Sequence, residues 1–492
     1  MINLNLATIK SMISYLYIII FFVSIVHTYL YTPNECPRED SLQYCLDVYI
    51  RGPTYYRKDF AYENDLLLER NSRVIHFPVA FVHPLDVFDV QSAIICGKNF
   101  NFTVIARSGG HSDESYSIGD RDCTLVVDLR YMNNIIIDAN TQTAKIGPGV
   151  TLNTLFYSLS VHDFAFPSGE CSTTGVGIIL GGGLGYLMRK FGTSSDNLLD
   201  AQIVLANGTI VDHVKEYHEL YWALRGAGNA GYGIVTSLTL KIYPIQKIVT
   251  SMVFTYDFDQ TQLVFSVVNE LGNSFHPNLT IQINHENVDK FEILGFYLGS
   301  SNDAKPHVQK LIELTNPKNE SYVEGDWYNR LIVNDVGRRN IYKCKAFYID
   351  SSGLSYEGVE YLMGFMKNFA NNFLVRTMLV TGKVNEIGRN ETAFVHRGLL
   401  YMLFLEITLD EVNYETRLKD LEIFSQAFQE NYTSYEGYQN HLDKDLYNWQ
   451  CRYYAENFGK LVEIKQKYDP NNLFNWNQSI PTNSEISCYS IK

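Results

Sequence analysis

The chain has 492 residues, 46% of them hydrophobic and 19% charged, with a formal net charge of −14 and a pI near 5.4. This composition supports more than one packed core and excludes a disordered or low-complexity chain. The acidic balance, with no basic run, excludes a nucleic-acid-binding face.

The first residues hold one early lysine, Lys10, and then an apolar stretch around Tyr15–Val26. The pattern reads as a signal peptide over residues 1–28, cut near His27–Tyr31. The alternative is an uncleaved anchor, for which the apolar run is short. Once the leader is cut, no stable membrane insertion is expected. Acceptor tripeptides begin at Asn101, Asn207, Asn278, Asn319, Asn390, Asn431 and Asn477, and with the leader they point to a secreted glycoprotein. Eight cysteines in a secreted chain suggest disulfides. If Cys171 serves another purpose, at least one other cysteine is left unpaired.

Ser41–Ile50 reads as a helix, and Val74–Val82 as a strand limited by Pro78 and Pro84. Asp86–Lys98 has helical spacing, with Val87, Val90, Ala93 and Ile94 on one stripe. FTVIA and TLVVDL read as strands on either side of RSGGHS. IIIDANTQTAKIGPG reads as a hairpin, VTLNTLFYSLSVHD as an amphipathic helix, and AQIVLANGTIVDH as a second hairpin turning at Asn207-Gly208. YHELYWALRGAGNAGYGIVTSLTLKIYP gives a helix, a glycine-rich turn and a strand. Glycine then becomes sparse, and strands such as TIQINHE, FEILGFYLG and YMLFLEITL alternate with helices such as HVQKLIEL and YEGVEYLMGFMKNFA. The last segment, from Leu446, reads as one helix stopped by Asp469-Pro470. Trp449, Tyr453, Leu461 and Ile464 are expected to face a core. The organisation expected is an α+β chain: a two-part domain over 29–245, a second domain over 246–435 with an antiparallel sheet backed by helices, and a segment over 436–492 that returns to the first.

Three stretches carry chemistry. RSGGHS (Arg107–Ser112) alone reads as an ordinary turn between strands. Glycines crowd again around Cys171, at Gly169, Gly175, Gly177, Gly181, Gly182, Gly183 and Gly185, and once more at Gly226, Gly228, Gly231 and Gly233. Glycine lets backbone N–H groups close on an anion, so three such stretches suggest one extended ligand. The dinucleotide fingerprint of the βαβ nucleotide folds and the P-loop lysine pattern are both absent.

In this order RSGGHS, PSGECSTTGVGIILGGGLG, WALRGAG…GIVTSLTLKIYP and KYDPNNLFNWNQSIP resemble the berberine bridge enzyme-like FAD-linked oxidases of the vanillyl-alcohol-oxidase superfamily, whose FAD domain is of the PCMH type. NETAFVHRGLLYMLFLEIT is similar to that family's substrate domain. The resemblance implies FAD held by two covalent bonds, from His111 to the 8α-methyl group and from Cys171 to carbon 6. It implies that Arg107, Ser108, Gly109 and Gly110 cradle the pyrophosphate and that Ser112 also contacts the cofactor. It also places Gly175, Gly177, Gly181 and Gly182 along the flavin, Asp196 and Asn197 near it, and Val235 at the adenine end. Cys45 and Cys96 stand at positions resembling a disulfide of plant relatives. No metal is expected.

The family pattern Tyr-x-Asn-Tyr reads Tyr438-Gln439-Asn440-His441 here, so His441 replaces the tyrosine that commonly acts as base. A neutral imidazole accepts protons at ordinary pH. Tyr438 is the alternative base, and Asn440 lies between the two. Thr174, three residues after the cysteine, stands where the family controls dioxygen access, and its β-branched form points to an oxidase that makes hydrogen peroxide. The expected activity is a monomeric oxidase of carbohydrates, acting in a pocket between the flavin and the second domain's sheet. Two other readings stand beside it: an oxidase or dehydrogenase of a small aromatic or alkaloid-like alcohol, and a secreted flavin-binding protein with little turnover.

Overall fold

A computed structural model of the chain describes residues 35–331, 340–369, 372–410 and 412–488. The leader expected over 1–28 lies outside them. Among the described residues, no helix is long and apolar enough to cross a membrane.

The first layer is a four-stranded sheet in the order Thr54–Tyr56, Ala80–Val82, Leu125–Asp128, Val104–Arg107. Its last three strands are parallel. Helix Val87–Phe100 makes the crossover. Asp86 caps it by accepting from the N–H groups of Phe88 and Asp89, and Val90, Ala93 and Ile94 are buried as the stripe requires. Helix Glu39–Tyr49 packs on it through the Cys45–Cys96 disulfide, the pairing implied by the resemblance, and Cys36–Cys123 ties the same layer. Only Ala80–Val82 of the expected strand Val74–Val82 is regular. Pro78 offers no N–H to the ladder, and the chain before it is held instead by single bonds, as from Phe77 N to the Asp122 carboxylate.

The second layer is an antiparallel five-stranded sheet containing both expected hairpins, Ile135–Asp138 with Thr143–Ile146 and Leu198–Val204 with Ile210–Val211. Ile234–Lys241 joins them. Gly208 closes the second hairpin at φ +84°, a conformation open to glycine.

From Val249 to Thr408 the chain builds a seven-stranded antiparallel sheet in the order 319–325, 249–257, 290–297, 279–285, 373–379, 399–408, 342–350. One face packs against helices Thr261–Leu271, Ser301–Thr315, Tyr356–Phe369 and Tyr414–Tyr432 through Phe265, Leu362, Phe365 and Phe428. Strand side chains alternate, so the opposite face is free to look back at the first two layers. The closing segment is two helices rather than one, Trp449–Tyr454 and Phe458–Tyr468, broken where Ala455 takes φ +41°. Tyr453, Leu461 and Ile464 are buried and Trp449 partly so. Cys451–Cys488 pins this segment. The fully buried Lys465 ammonium donates to the carbonyls of Gly231 (2.6 Å) and Phe474 (2.7 Å) and pairs with Asp469.

Candidate active site

The glycine loops meet back to back. A Cβ on Gly109 would stand 2.3 Å from the Gly175 nitrogen, and one on Gly175 would stand 2.3 Å from Ser108 Oγ and 2.4 Å from the Gly109 nitrogen. Neither position has room for a side chain because two backbones touch there. Gly110 adds a left-handed turn at φ +67°. Ser108 locks the junction, donating from Oγ to the Pro148 carbonyl (2.6 Å) and accepting from Gly177 N.

On this wall His111 Nε2 lies 2.9 Å from Thr173 Oγ1 and Nδ1 lies 3.3 Å from Thr174 Oγ1. Cys171 Sγ is 3.7 Å from the same Thr173 oxygen and forms no disulfide. One hydroxyl therefore sits beside both reactive side chains. They border a cavity of about 670 Å³ together with Ser108, Gly109, Gly110, Ser112, Thr174, Gly175, Gly177 and Val235, a size within the roughly 300–1,000 Å³ range of cofactor pockets. Phe474 and Trp476 from the closing segment complete this side.

Five of the expected cofactor residues do not border it. The Arg107 guanidinium turns inward to Asp128 (2.5 Å), the Asp65 carbonyl (2.8 Å) and the Phe81 ring. Burial acts against ionisation of Asp128, but Arg107 and Arg130 prevail and hold it at about 2. An arginine beside a glycine loop thus serves the sheet beneath it. Gly181 and Gly182 make room for other segments: a Cβ would lie 2.0 Å from Asn440 Oδ1 at the first and 2.6 Å from the Phe394 ring at the second. Asp196 pairs with Arg397 (2.6 Å). Asn197 donates to the carbonyls of Phe191 and Thr193 and accepts from Tyr243.

Tyr438 is buried, and its hydroxyl oxygen accepts from Gly183 N (2.9 Å), Leu184 N (3.2 Å) and Asn440 Nδ2 (2.9 Å). Burial pushes the phenol up to about 12 despite these donors. It anchors the glycine stretch and is a poor base at neutral pH. His441 differs. Its Nδ1 donates to Asp113 Oδ2 (3.0 Å), its ring rests 4.4 Å from that of Phe404, and its side chain keeps 30% exposure toward the cavity. Burial pushes the Asp113 carboxyl up, but hydrogen bonds from His441, Tyr342 and Cys344 prevail and hold it below the usual range. An ionised Asp113 fixes the Nδ1–H tautomer and leaves the Nε2 lone pair free. The tyrosine-to-histidine replacement thus arrives with a carboxylate two residues beyond His111, a link invisible along the chain.

The far wall is the free face of the large sheet: Gln282, Leu374, Arg376, Met378, Met402, Phe404 and Glu406. Register sets Gln282 beside Met378 and Arg376 beside Phe404. Gln282 Oε1 and Arg376 Nε are buried with no hydrogen-bond partner among the described residues. Burial raises the carboxyls of Glu406 and of Glu170, which faces them, while Arg376 opposes both shifts. These residues escape motif reading. The signal of Arg376 and Glu406 is a single charged residue inside a largely apolar strand, as in FLVRTML and YMLFLEIT.

Residues 78–213 match the FAD binding domain family, and residues 437–481 match the berberine and berberine-like family. Tetrahydroberberine oxidase from Berberis wilsoniae is 29% identical, over 91% of this chain and 94% of that protein. Berberine bridge enzyme-like 12 from Arabidopsis thaliana is 30% identical, over 80% and 82%. The solved xylooligosaccharide oxidase from Myceliophthora thermophila superposes with a TM-score of 0.83 at 25% identity, covering 90% of this chain and all of that one. The glycine cradle fits FAD, because backbone N–H groups without side chains around them can close on a pyrophosphate. With that fit, two nucleophilic side chains on one cavity and relatives at these identities, the chain belongs to the berberine bridge enzyme-like family of FAD-dependent oxidoreductases.

Proposed function

We propose that this protein is a secreted oxidase of carbohydrate hydroxyl groups, with FAD bonded covalently to His111 and Cys171. Bound FAD supplies the hydride acceptor and passes the electrons to dioxygen, giving hydrogen peroxide. The observation that carries the reading is the Asp113–His441 pair on the same cavity as His111 and Cys171.

His441 Nε2 takes the proton of the substrate hydroxyl, and Asp113 stabilises the imidazolium that results. Gln282, Arg376 and Glu406 orient hydroxyl groups with hydrogen-bonding capacity that other side chains leave unused. Met378, Met402 and Phe404 exclude water around the reacting carbon. Thr174, held against His111, borders the path of dioxygen. Several polar groups on one wall suit a polyhydroxylated ligand, and the named activity of the Myceliophthora relative agrees. The same wall's methionines and Phe404 support a second reading, a small aromatic or alkaloid-like alcohol, which agrees with the Berberis relative's name. Three disulfides and six exposed acceptor asparagines, with Asn278 half-buried, support passage through an oxidising, glycosylating compartment. We take the chain as a monomer divided near residues 245 and 435.

The test is anaerobic flavin bleaching with a panel of reducing oligosaccharides and aromatic alcohols. His441→Ala is expected to slow bleaching by about 10²–10⁴-fold with the protein still yellow. An unchanged rate across pH would remove the base assignment. Acid-precipitated wild type should stay yellow, His111→Ala should keep flavin through Cys171 alone, and the double variant should lose it.

A further inference from the structure

Asp113, Cys344 and His441 come from three separate segments: the loop after the glycine turn, the strand Tyr342–Asp350 at the end of the large sheet, and the start of the closing segment. One carboxylate oxygen, Sγ and one imidazole nitrogen lie within 4.8 Å of one another. The other such cluster, Asp65, His83 and Asp128, is already occupied by the guanidinium groups of Arg107 and Arg130.

We propose that Asp113, Cys344 and His441 form a binding site for a zinc-class divalent ion that silences the enzyme when filled. A set of three ligands of mixed oxygen, sulfur and nitrogen type is that of an open zinc site, and two of these three, Asp113 and His441, line the cavity. The thiolate and imidazole favour such ions over magnesium or calcium. Ligand atoms around tetrahedral zinc stand roughly 3.4–3.6 Å apart, as its bond lengths require, so the 3.0 Å His441–Asp113 contact has only to widen slightly. The Tyr342 hydroxyl already holds the other carboxylate oxygen at 2.8 Å, the kind of outer support that fixes a ligand's direction. Asp113 and His441 border the cavity while Cys344 is buried behind them, so the ion enters by the substrate's route.

Binding is not a redox step. The Cys344 thiol gives up its proton as the sulfur–metal bond forms. The imidazole exchanges its Nδ1 proton for the metal and, remaining neutral, carries a proton on Nε2. One proton is released overall. The Nε2 lone pair that receives the substrate proton no longer exists, so the ion blocks the base without touching the flavin. This last step rests on the reading of His441 as base.

The FAD-loaded enzyme is titrated with Co²⁺ alone and then with Zn²⁺. Expected are tetrahedral d–d bands to the red of the flavin absorption, displaced by Zn²⁺, and one proton released per ion into weak buffer. Zn²⁺ should slow anaerobic flavin reduction at least tenfold, in competition with substrate, and a chelator should reverse the effect. Cys344→Ala should abolish the bands and relieve the inhibition. If that variant does not fold, as judged by flavin circular dichroism, Cys344→Ser serves in its place. Absence of the bands, or their persistence without the cysteine, overturns the site. Bands and proton release with an unaffected reduction rate would keep the site but overturn its coupling, and with it the role of His441.

Discussion

The two walls of the cavity are built from different material. On the side of the glycine loops much of the surface is backbone, where Gly109 and Gly175 touch with no space for a single added carbon. On the opposite side it is side chains, every second residue of two strands together with Gln282 of a third. A wall of backbone recognises what is common to a cofactor and tolerates no change, whereas a wall of side chains can be rewritten one residue at a time.

The contrast breaks most visibly at Gly175→Ala. The new methyl group must displace both Ser108 Oγ and the backbone of Gly109, and we expect a loss of about 3 kcal/mol or more. The flavin-to-protein absorbance ratio and the melting temperature should fall together, and full cofactor content with an unchanged Tm would show that the loops can part. Asp113→Asn sits between the walls. By analogy with lost outer-sphere partners it should cost about 10–100-fold in flavin reduction. Flavin content and Tm should stay near those of wild type while the rate falls; a fall in all three would indicate only structural damage.

Behind the side-chain wall lies a buried ionic cluster. Burial works against the Asp443 carboxylate, but Lys345 and Lys343 hold it down to about 2. A depressed carboxyl stabilises the fold above its ordinary value near 4 and loses that stabilisation as pH falls toward 2, about 2 kcal/mol in all. The Tm of Asp443→Asn should start lower at pH 6 and change less than wild type between pH 4 and 2; parallel curves would contradict this account. The smallest effect is expected at Met402→Leu on the rewritable wall. Stability should change by less than about 1.5 kcal/mol, with KM for substrate shifted and flavin content intact. A loss of flavin here would erase the distinction between the walls.

The same contrast decides what is legible along the chain. Backbone recognition leaves glycines in clusters, so the loops at Gly109 and Gly175 stand out in the order of residues, while His111 and Cys171 gain their roles only from the family resemblance of those stretches. Arg107 adjoins the first cluster and Asp196 and Asn197 follow the second, but their partners, Asp128, Arg397 and Tyr243, are distant in sequence, and only packing shows that they serve the framework. Gln282, Arg376 and Glu406 leave no motif, because which face of a strand points inward depends on register. His441 is visible as a departure from a pattern. Its partner Asp113 is not, since the pair joins residues 328 positions apart.

Lys465 ties the closing helix to the carbonyl of Gly231 in the third glycine turn, and Phe474 and Trp476 close the cavity beside it. His441 belongs to this segment as well. The chain therefore makes the large sheet before it makes Phe474 and Trp476 of the cavity wall and His441, the proposed base. On the proposed reading the order of synthesis then has a checking role: a chain halted before residue 436 lacks Phe474 and Trp476 on the cavity wall and lacks the proposed base His441, and is expected not to turn over.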